Sequence, residues 1–278
     1  MGQIALIAYL YSCKENAGID DEQFNEALQS GELQLLEPNM NLFLAILLLG
    51  FAVAAIFFLS SVKFIHQKPI LSLFTSRSRF DWKRFLTGAL LWIFTACVLI
   101  FLLLPKDKYT YQFDLVKFVP LAAIALTLVP VQACLEEVFF RGYLLQGVYL
   151  IVKHSFVAWL LVTVLFASMH LANPEIQSGF WPILGVYFVF SSMLGITAVL
   201  DEGLEIPCGI HTANNLFTAL ILSTSNGAMN TDSIFQTRVE HLMGILPPLL
   251  LILSIFTLVA LAFYYRWNMA KLFAVANR

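Results

Sequence analysis

Charged residues are scarce in this chain. Only 12% of its 278 residues are Asp, Glu, Lys or Arg, and the formal net charge is −2, whereas soluble domains carry about 25% charged residues. This scarcity excludes a soluble globule and a disordered chain, and the lack of a basic face excludes a nucleic-acid-binding protein. Hydrophobic residues make up 59% of the sequence and form runs of about 20 residues, the length of a transmembrane helix. The composition predicts an all-α, polytopic transmembrane helical bundle in the cell membrane.

Cysteine is also rare, and no cysteine pair has the spacing of a metal site or a disulfide framework. The four cysteines are scattered, and none belongs to a CxxC pattern: Cys13, Cys97, Cys134 and Cys208. We interpret them as small apolar residues in or beside the hydrophobic segments.

The chain divides into two regions. Residues 1–40 form an acidic N-terminal tail with seven acids and one base, Lys14, in which Asp20 or Asp21 is expected to cap a short helix. Residues 41–270 form the transmembrane domain, with seven or eight predicted helices. The candidate spans are Asn41–Val62, Phe85–Leu104, Leu115–Leu135, Val138–Val152, Ser155–Ala172, Trp181–Leu200, Ile206–Ser223 and Ile245–Tyr265.

Basic residues predict the orientation in the membrane, because short cytoplasmic loops are enriched in Lys and Arg. One loop and the C-terminal tail are basic and are therefore expected in the cytoplasm; an odd number of crossings then places the N-terminal tail outside. The basic residues of the loop are Lys63, Lys68, Arg77, Arg79, Lys83 and Arg84, and those of the tail are Arg266, Lys271 and Arg278.

Two adjacent acids and one base interrupt the apolar sequence at residues 136–141. Glu137 and Arg141 are four residues apart and can pair along one helix face. Glu136 points about 100° away around the helix, so we expect it to have no local partner and to act as a general base. The alternative is a structural ion-pair network at a helix end.

Two further polar groups lie in apolar segments. Phe166 and His170 share a helix face, as do His211 and Asn215. Taken alone, His170 could be structural, and His211 with Asn215 could form a hydrogen bond between helices. Taken together with Glu136, the three groups supply a base, an imidazole and a pair of oxyanion donors, which are the parts needed to hydrolyse an amide.

The depth of these residues in the membrane poses a separate question. In a simple crossing arrangement His170 ends its helix and His211 begins another, with one helix between them, so the two would lie near opposite membrane faces. Convergence requires both residues at mid-depth, or a tilted or incomplete Trp181–Leu200 segment.

The ordered patterns EExxxR, FxxxH and HxxxN resemble those of the CAAX-protease and bacteriocin-processing (Abi) family, which includes the Rce1-type prenyl-protein endopeptidases. The resemblance covers about residues 115–222. It implies a glutamate-dependent intramembrane endopeptidase of about eight helices. By this resemblance Glu136 and His170 activate water, and His211 and Asn215 line the oxyanion hole. Glu137 and Arg141 support the site.

The expected substrate is a membrane-associated peptide or protein tail, and no cofactor is expected. Zinc held by Glu136, His170 and His211 is the alternative, although the sequence contains no HExxH pattern. Two other functions remain open at this point: a non-catalytic membrane scaffold or bacteriocin-immunity protein, and a proton-coupled transporter.

Overall fold

The computed structural model describes residues 2–30, 36 and 38–275. Parts of the predicted N-terminal tail, residues 1, 31–35 and 37, and the predicted cytoplasmic residue Arg278 lie outside the described residues. The helices are α1 (Gly2–Ala17), α2 (Asp21–Ser30), α3 (Met40–Phe64), α4 (Leu71–Phe74), α5 (Trp82–Leu103), α6 (Leu115–Glu137), α7 (Leu145–Val152), α8 (Ser155–Met169), α9 (Phe180–Asp201), α10 (Glu205–Leu216), α11 (Val239–Leu242) and α12 (Leu246–Tyr265).

Six helical segments among the described residues are long and apolar enough to cross a membrane, which confirms the polytopic helical bundle and its multi-pass location. They are Met40–Phe64, Trp82–Leu103, Leu115–Val152, Ser155–Ala172, Phe180–Asp201 and Leu246–Tyr265. Side chains such as Phe57, Phe94 and Phe263 remain exposed on their outer faces. Such a surface is stable when lipid covers it.

The prediction of a separate helix at Val138–Val152 is wrong. The segment Leu115–Val152 is one helix of 38 residues, in which α6 continues through a π-helical turn, Val138–Leu144, into α7. The charged residues do not interrupt the helix because Glu137 and Arg141 are buried inside the bundle. π-Helical turns within α-helices are frequently found at functional sites.

The predicted span Ile206–Ser223 is a shorter, enclosed segment. Helix α10 has 12 residues and is followed by a five-residue π-helical turn, Phe217–Ile221, which gives a length of about 25 Å. It nevertheless joins the two ends of the bundle. Its first residue, Glu205, pairs with Arg77 in the basic loop. The π-helical turn at its other end leads into a strand of the same three-stranded sheet as Tyr109–Tyr111, the segment that follows α5. Together with the six long segments, it takes the chain through the bundle seven times.

A small sheet lies at the end of the bundle opposite the basic loop. Its strands are β1 (Tyr109–Tyr111), β2 (Leu222–Thr224) and β3 (Phe235–Thr237). The central strand β3 pairs antiparallel with β1 and parallel with β2. We call this the sheet end, and the opposite end, which carries residues 65–81, the basic end.

The N-terminal helices pack against the start of α3 at the sheet end. Leu10, Cys13, Phe24 and Phe43 form a buried apolar cluster there. The predicted cap is confirmed: the Asp20 carboxylate accepts a hydrogen bond of 2.8 Å from the Gln23 amide.

Two glycines allow α10 to lie unusually close to α5. A Cβ atom at Gly209 would lie 2.0 Å from the Phe85 carbonyl oxygen, and one at Gly88 would lie 2.8 Å from the Ile206 carbonyl oxygen. The absence of side chains at these two positions fixes α10 against its neighbour. This matters because α10 carries His211 and Asn215.

Candidate active site

The structure brings the polar residues of three helices together inside the bundle. Glu136 and Glu137 end α6, Arg141 lies in the π-helical turn, and His211 and Asn215 lie on α10. These five residues form one connected polar cluster, which also includes Gln132 and Ser191. His170 lies beside this cluster, and the Phe166 ring is near both His170 and His211.

The predicted pair between Glu137 and Arg141 is confirmed. The Arg141 Nη1 donates to Glu137 Oε1 at 3.0 Å, and both side chains are almost completely buried. The second arm of the guanidinium donates to the Ser191 hydroxyl at 2.6 Å and to the Ser191 carbonyl at 3.1 Å. The pair therefore links α6, through its π-helical turn, to α9.

Glu137 also orients His211. The Nδ1–H of His211 donates to Glu137 Oε1 at 2.8 Å, because a carboxylate can only accept. The other imidazole nitrogen, Nε2, lies 3.7 Å from Glu136 Oε2. One carboxylate thus fixes the ring, and the opposite side of the ring faces the second carboxylate.

Glu136 has a local partner, contrary to the prediction. The Gln132 side-chain amide, one helical turn earlier, donates to Glu136 Oε1. Side chains four residues apart face each other on a helix. Gln132 is a polar residue within an apolar run, and this spacing was the sequence signal for its contact with Glu136. The amide is neutral, so it does not compensate the charge of Glu136, and the side chain remains 16% exposed.

Gln132 links Glu136, the expected base, to Asn215 of the HxxxN pattern. Its side-chain oxygen accepts a hydrogen bond of 2.9 Å from Asn215 Nδ2, while Asn214 Nδ2 donates to Asn215 Oδ1 at 3.1 Å. An amide nitrogen carries two protons, so Asn215 keeps a second N–H beyond the one that Gln132 accepts.

His170 lies just after α8, in a 3₁₀ turn, His170–Ala172. Its Nδ1–H donates to the Phe166 carbonyl at 2.8 Å, which leaves Nε2 of the neutral ring as an acceptor. The ring stacks on Tyr187 with centroids 4.1 Å apart. Glu136 is near enough to interact electrostatically with His170.

His170 and His211 both lie near the polar cluster, and the helices that carry them are short. The α-helical part of α8 ends after 15 residues, and His211 lies in the second turn of the 12-residue α10. Both side chains consequently lie within the bundle and near Phe166, whose ring centroid is 4.7 Å from that of His170 and 6.1 Å from that of His211. Helix α9, Phe180–Asp201, is unbroken over 22 residues.

The described residues do not form a metal-ligand set. No group of three His, Cys, Asp or Glu side chains within residues 2–30, 36 and 38–275 could hold a metal ion. Of the proposed zinc ligands, His211 uses Nδ1 to bind Glu137, and its Nε2 lies 3.7 Å from Glu136 Oε2.

A cavity of about 740 Å³ leads from the basic end towards the polar cluster. Arg141 lies in its wall, together with Arg77, Ser72 and Gln146. Arg141 is thereby the residue of the cluster that borders this cavity.

These features define a polytopic membrane protein with a buried glutamate–histidine site. The family model of the type II CAAX prenyl endopeptidase Rce1-like proteins matches residues 118–217, which include all six predicted site residues. The uncharacterized protein YyaK of Bacillus subtilis (strain 168) is 31% identical over 224 residues, covering 79% of this chain and 73% of YyaK. The chain belongs to the Rce1-like CAAX endopeptidase family. No solved structure matches it.

Proposed function

We propose that this protein is an intramembrane endopeptidase that hydrolyses a peptide bond of a membrane-associated peptide or protein tail, with a glutamate-activated water. The observation that carries the proposal is the environment of Glu136. Its carboxylate accepts a hydrogen bond from the neutral side-chain amide of Gln132 and lies 3.7 Å from Nε2 of His211. The adjacent Glu137, by contrast, is neutralised by Arg141. An acceptor without a guanidinium partner can take a proton from water.

The proposed reaction begins with water between Glu136 and His170. Glu136 takes a proton as the water oxygen bonds to the scissile carbonyl carbon, and the carbonyl π electrons move to its oxygen. As the tetrahedral intermediate collapses, the carbon–nitrogen bond breaks and the proton passes to the leaving amine. The unprotonated Nε2 of His170 is a second acceptor for the water.

Asn215 and His211 are the proposed donors to the developing oxyanion. Asn215 retains one amide N–H. His211 would donate from Nε2 when that atom takes up a proton during the reaction, while Nδ1 stays bound to Glu137. Donors held in place before the reaction stabilise the transition state without reorganisation. Glu137 and Arg141 are positioning residues in this scheme, since they hold His211 and contact no substrate.

The family membership supports a CAAX-type substrate, a C-terminal tail carrying a prenyl group. The test uses the full-length protein in liposomes with a fluorogenic farnesylated CAAX peptide and the same peptide without the lipid. Mass spectrometry of the products identifies the bond that is cut. We expect cleavage by the wild type and none by Glu136→Ala, with faster cleavage of the farnesylated peptide.

Equal cleavage by wild type and Glu136→Ala would refute the glutamate-dependent mechanism. Equal rates for the two peptides, both abolished by Glu136→Ala, would retain the peptidase and reject the prenyl-tail preference. A panel of unlipidated transmembrane peptides in the same liposomes would then test for a different membrane-tethered substrate.

A further inference from the structure

Aromatic rings enclose His170 on two sides. The Phe166 ring centroid lies 4.7 Å from that of His170, with an angle of 38° between the planes, and the Tyr187 centroid lies 4.1 Å away at 27°. Phe166 also provides the carbonyl that binds His170 Nδ1. His170 follows the end of α8, and Tyr187 contacts it from a different helix, α9.

The Tyr187 hydroxyl is hydrogen-bonded to two side chains, those of Glu175 and Asn173, that have no part in the proposed reaction. The hydroxyl donates to Glu175 Oε1 and accepts a hydrogen bond of 2.9 Å from Asn173 Nδ2. Asn173 also donates to Glu175 Oε1 at 3.1 Å. Glu175 therefore anchors the tyrosine from the 3₁₀ turn Pro174–Ser178.

Glu175 is also bound to a part of the chain that lies outside the EExxxR, FxxxH and HxxxN patterns. The second oxygen of Glu175, Oε2, accepts a hydrogen bond of 2.9 Å from the Ala228 amide. Ala228 lies in the loop between β2 and β3, beyond the residues that the family model matches. This loop is thus connected to His170 through Glu175 and Tyr187.

The Tyr187 side chain also borders open volume. A cavity of about 230 Å³ borders both Tyr187 and Glu175, with Phe190 and Asn214 also in its wall. A ring next to open volume has fewer van der Waals partners on that side. We therefore expect the hydrogen bonds at the hydroxyl to help keep the ring stacked on His170.

We propose that Tyr187 is a positioning residue for His170, and that Glu175 and Asn173 fix Tyr187 for this task. The positioning is a statement about the side chains and stands by itself; only its effect on turnover rests on the proposed peptidase function. Tyr187 touches neither the substrate nor the attacking water in this scheme, and it acts through the orientation of the imidazole.

The test combines spectroscopy and kinetics on the full-length protein. Ring ¹³C and ¹⁵N resonances of labelled histidines are recorded in detergent micelles, and His170→Asn assigns the signal of His170. We expect Tyr187→Phe, which keeps the ring and loses the hydroxyl, to shift or broaden the His170 signal. With the farnesylated peptide, kcat should fall about 10- to 100-fold, as expected for a misplaced catalytic group, while KM changes less than about twofold.

A second tyrosine–histidine contact provides a matched control. The Tyr143 hydroxyl lies 3.2 Å from His66 Nε2 at the basic end. Tyr143→Phe removes the hydroxyl of another tyrosine that contacts a histidine, here by a direct hydrogen bond, and it should leave the His170 signal and kcat unchanged. Tyr187→Leu, which also removes the stacked ring, should change both more than Tyr187→Phe does.

A double-mutant cycle tests whether Glu175 acts through Tyr187. Glu175→Ala alone should reproduce the Tyr187→Phe effects, and the double variant should be no worse than either single variant, because both remove the same interaction. A His170 signal unchanged in both Tyr187 variants would overturn the proposal, and so would a shifted signal with unchanged kcat. If the wild type cleaves no peptide, the proposed function fails, and the histidine spectra still decide the positioning.

Discussion

Two buried clusters of charge lie along α10 and differ in how their carboxylates are compensated. At the basic end, Glu205 pairs with Arg77 at 3.1 Å, and Asp201 pairs with both Arg77 and Arg84. Asp201 also accepts a hydrogen bond of 2.9 Å from the Trp267 indole. Each of these two carboxylates thus has at least one guanidinium partner.

The cluster in the middle of the bundle is compensated unevenly. Arg141 neutralises Glu137, yet the Oε2 atom of Glu137 has no hydrogen-bond partner among the described residues. Glu136 has only the amide of Gln132 and the nearby imidazole of His211. Uncompensated carboxylates in a bundle interior are costly, and such groups usually mark function.

The two clusters therefore differ in function. The basic-end cluster ties the first residue of α10 to α9 and to the loop before α5, and so holds the helix in place. The central cluster meets the same helix at His211, less than two turns later. Variants in the first should change mainly stability, whereas Glu136 in the second should change mainly turnover.

Glu136→Gln should give the largest effect on turnover. The amide keeps the shape of the side chain and cannot accept a proton from water, so the cleavage rate should fall about 10²- to 10⁴-fold. The thermal midpoint in detergent should stay within about 1 °C of the wild type, because Gln132 donates equally well to an amide oxygen. A rate within a few-fold of the wild type would remove Glu136 from the role of base.

Arg141→Ala should be more destabilising than Arg77→Ala. Loss of Arg141 leaves Glu137 buried without a cation, which typically costs about 3–5 kcal/mol, and Glu137→Gln should likewise lower stability. Arg77→Ala removes the guanidinium partner of Glu205, but Glu205 keeps a hydrogen bond from the Asp81 amide, and Arg84 still pairs with Asp201. Because Arg77 is 25% exposed, water can take its place. Denaturant unfolding in detergent ranks the variants, and equal losses for Arg141→Ala and Arg77→Ala would contradict the contrast.

Gly209→Ala should have a smaller effect on stability. The added methyl group would lie 2.0 Å from the Phe85 carbonyl oxygen, so α10 must move away from α5 at a cost of about 1–3 kcal/mol. Because the shift also moves His211, turnover should fall as well. Gly185→Ala is a suitable control, since a Cβ there meets no atom within 4 Å; comparable behaviour of the two variants would argue against close helix packing.

Removal of metal ions should have the smallest effect. We predict full activity after purification with a strong chelator, in protein with far less than one metal ion per chain. Stoichiometric zinc that is lost together with activity, and that restores activity when returned, would overturn this prediction.

Residue spacing predicted the local contacts of the site. Glu137 with Arg141, and Phe166 with His170, are pairs four residues apart, and helical geometry brings such pairs together in any fold. The same rule would have found Gln132 beside Glu136. The helix boundary at Val138 was predicted wrongly, because a charge in an apolar run indicates a membrane edge only when it faces lipid or water, and Arg141 faces Ser191.

The sequence by itself determined that the chain is a helical membrane protein and which residues are chemically able to form its site, since composition and helical periodicity are local properties. Tertiary structure alone decided that His211 binds Glu137 across 74 positions, that Tyr187 stacks on His170, and that α10 passes through the bundle enclosed by other helices. Those contacts depend on how short α8 and α10 are and on how closely Gly88 and Gly209 let α5 and α10 approach. Such features arise from packing between segments distant in sequence, which no local pattern encodes.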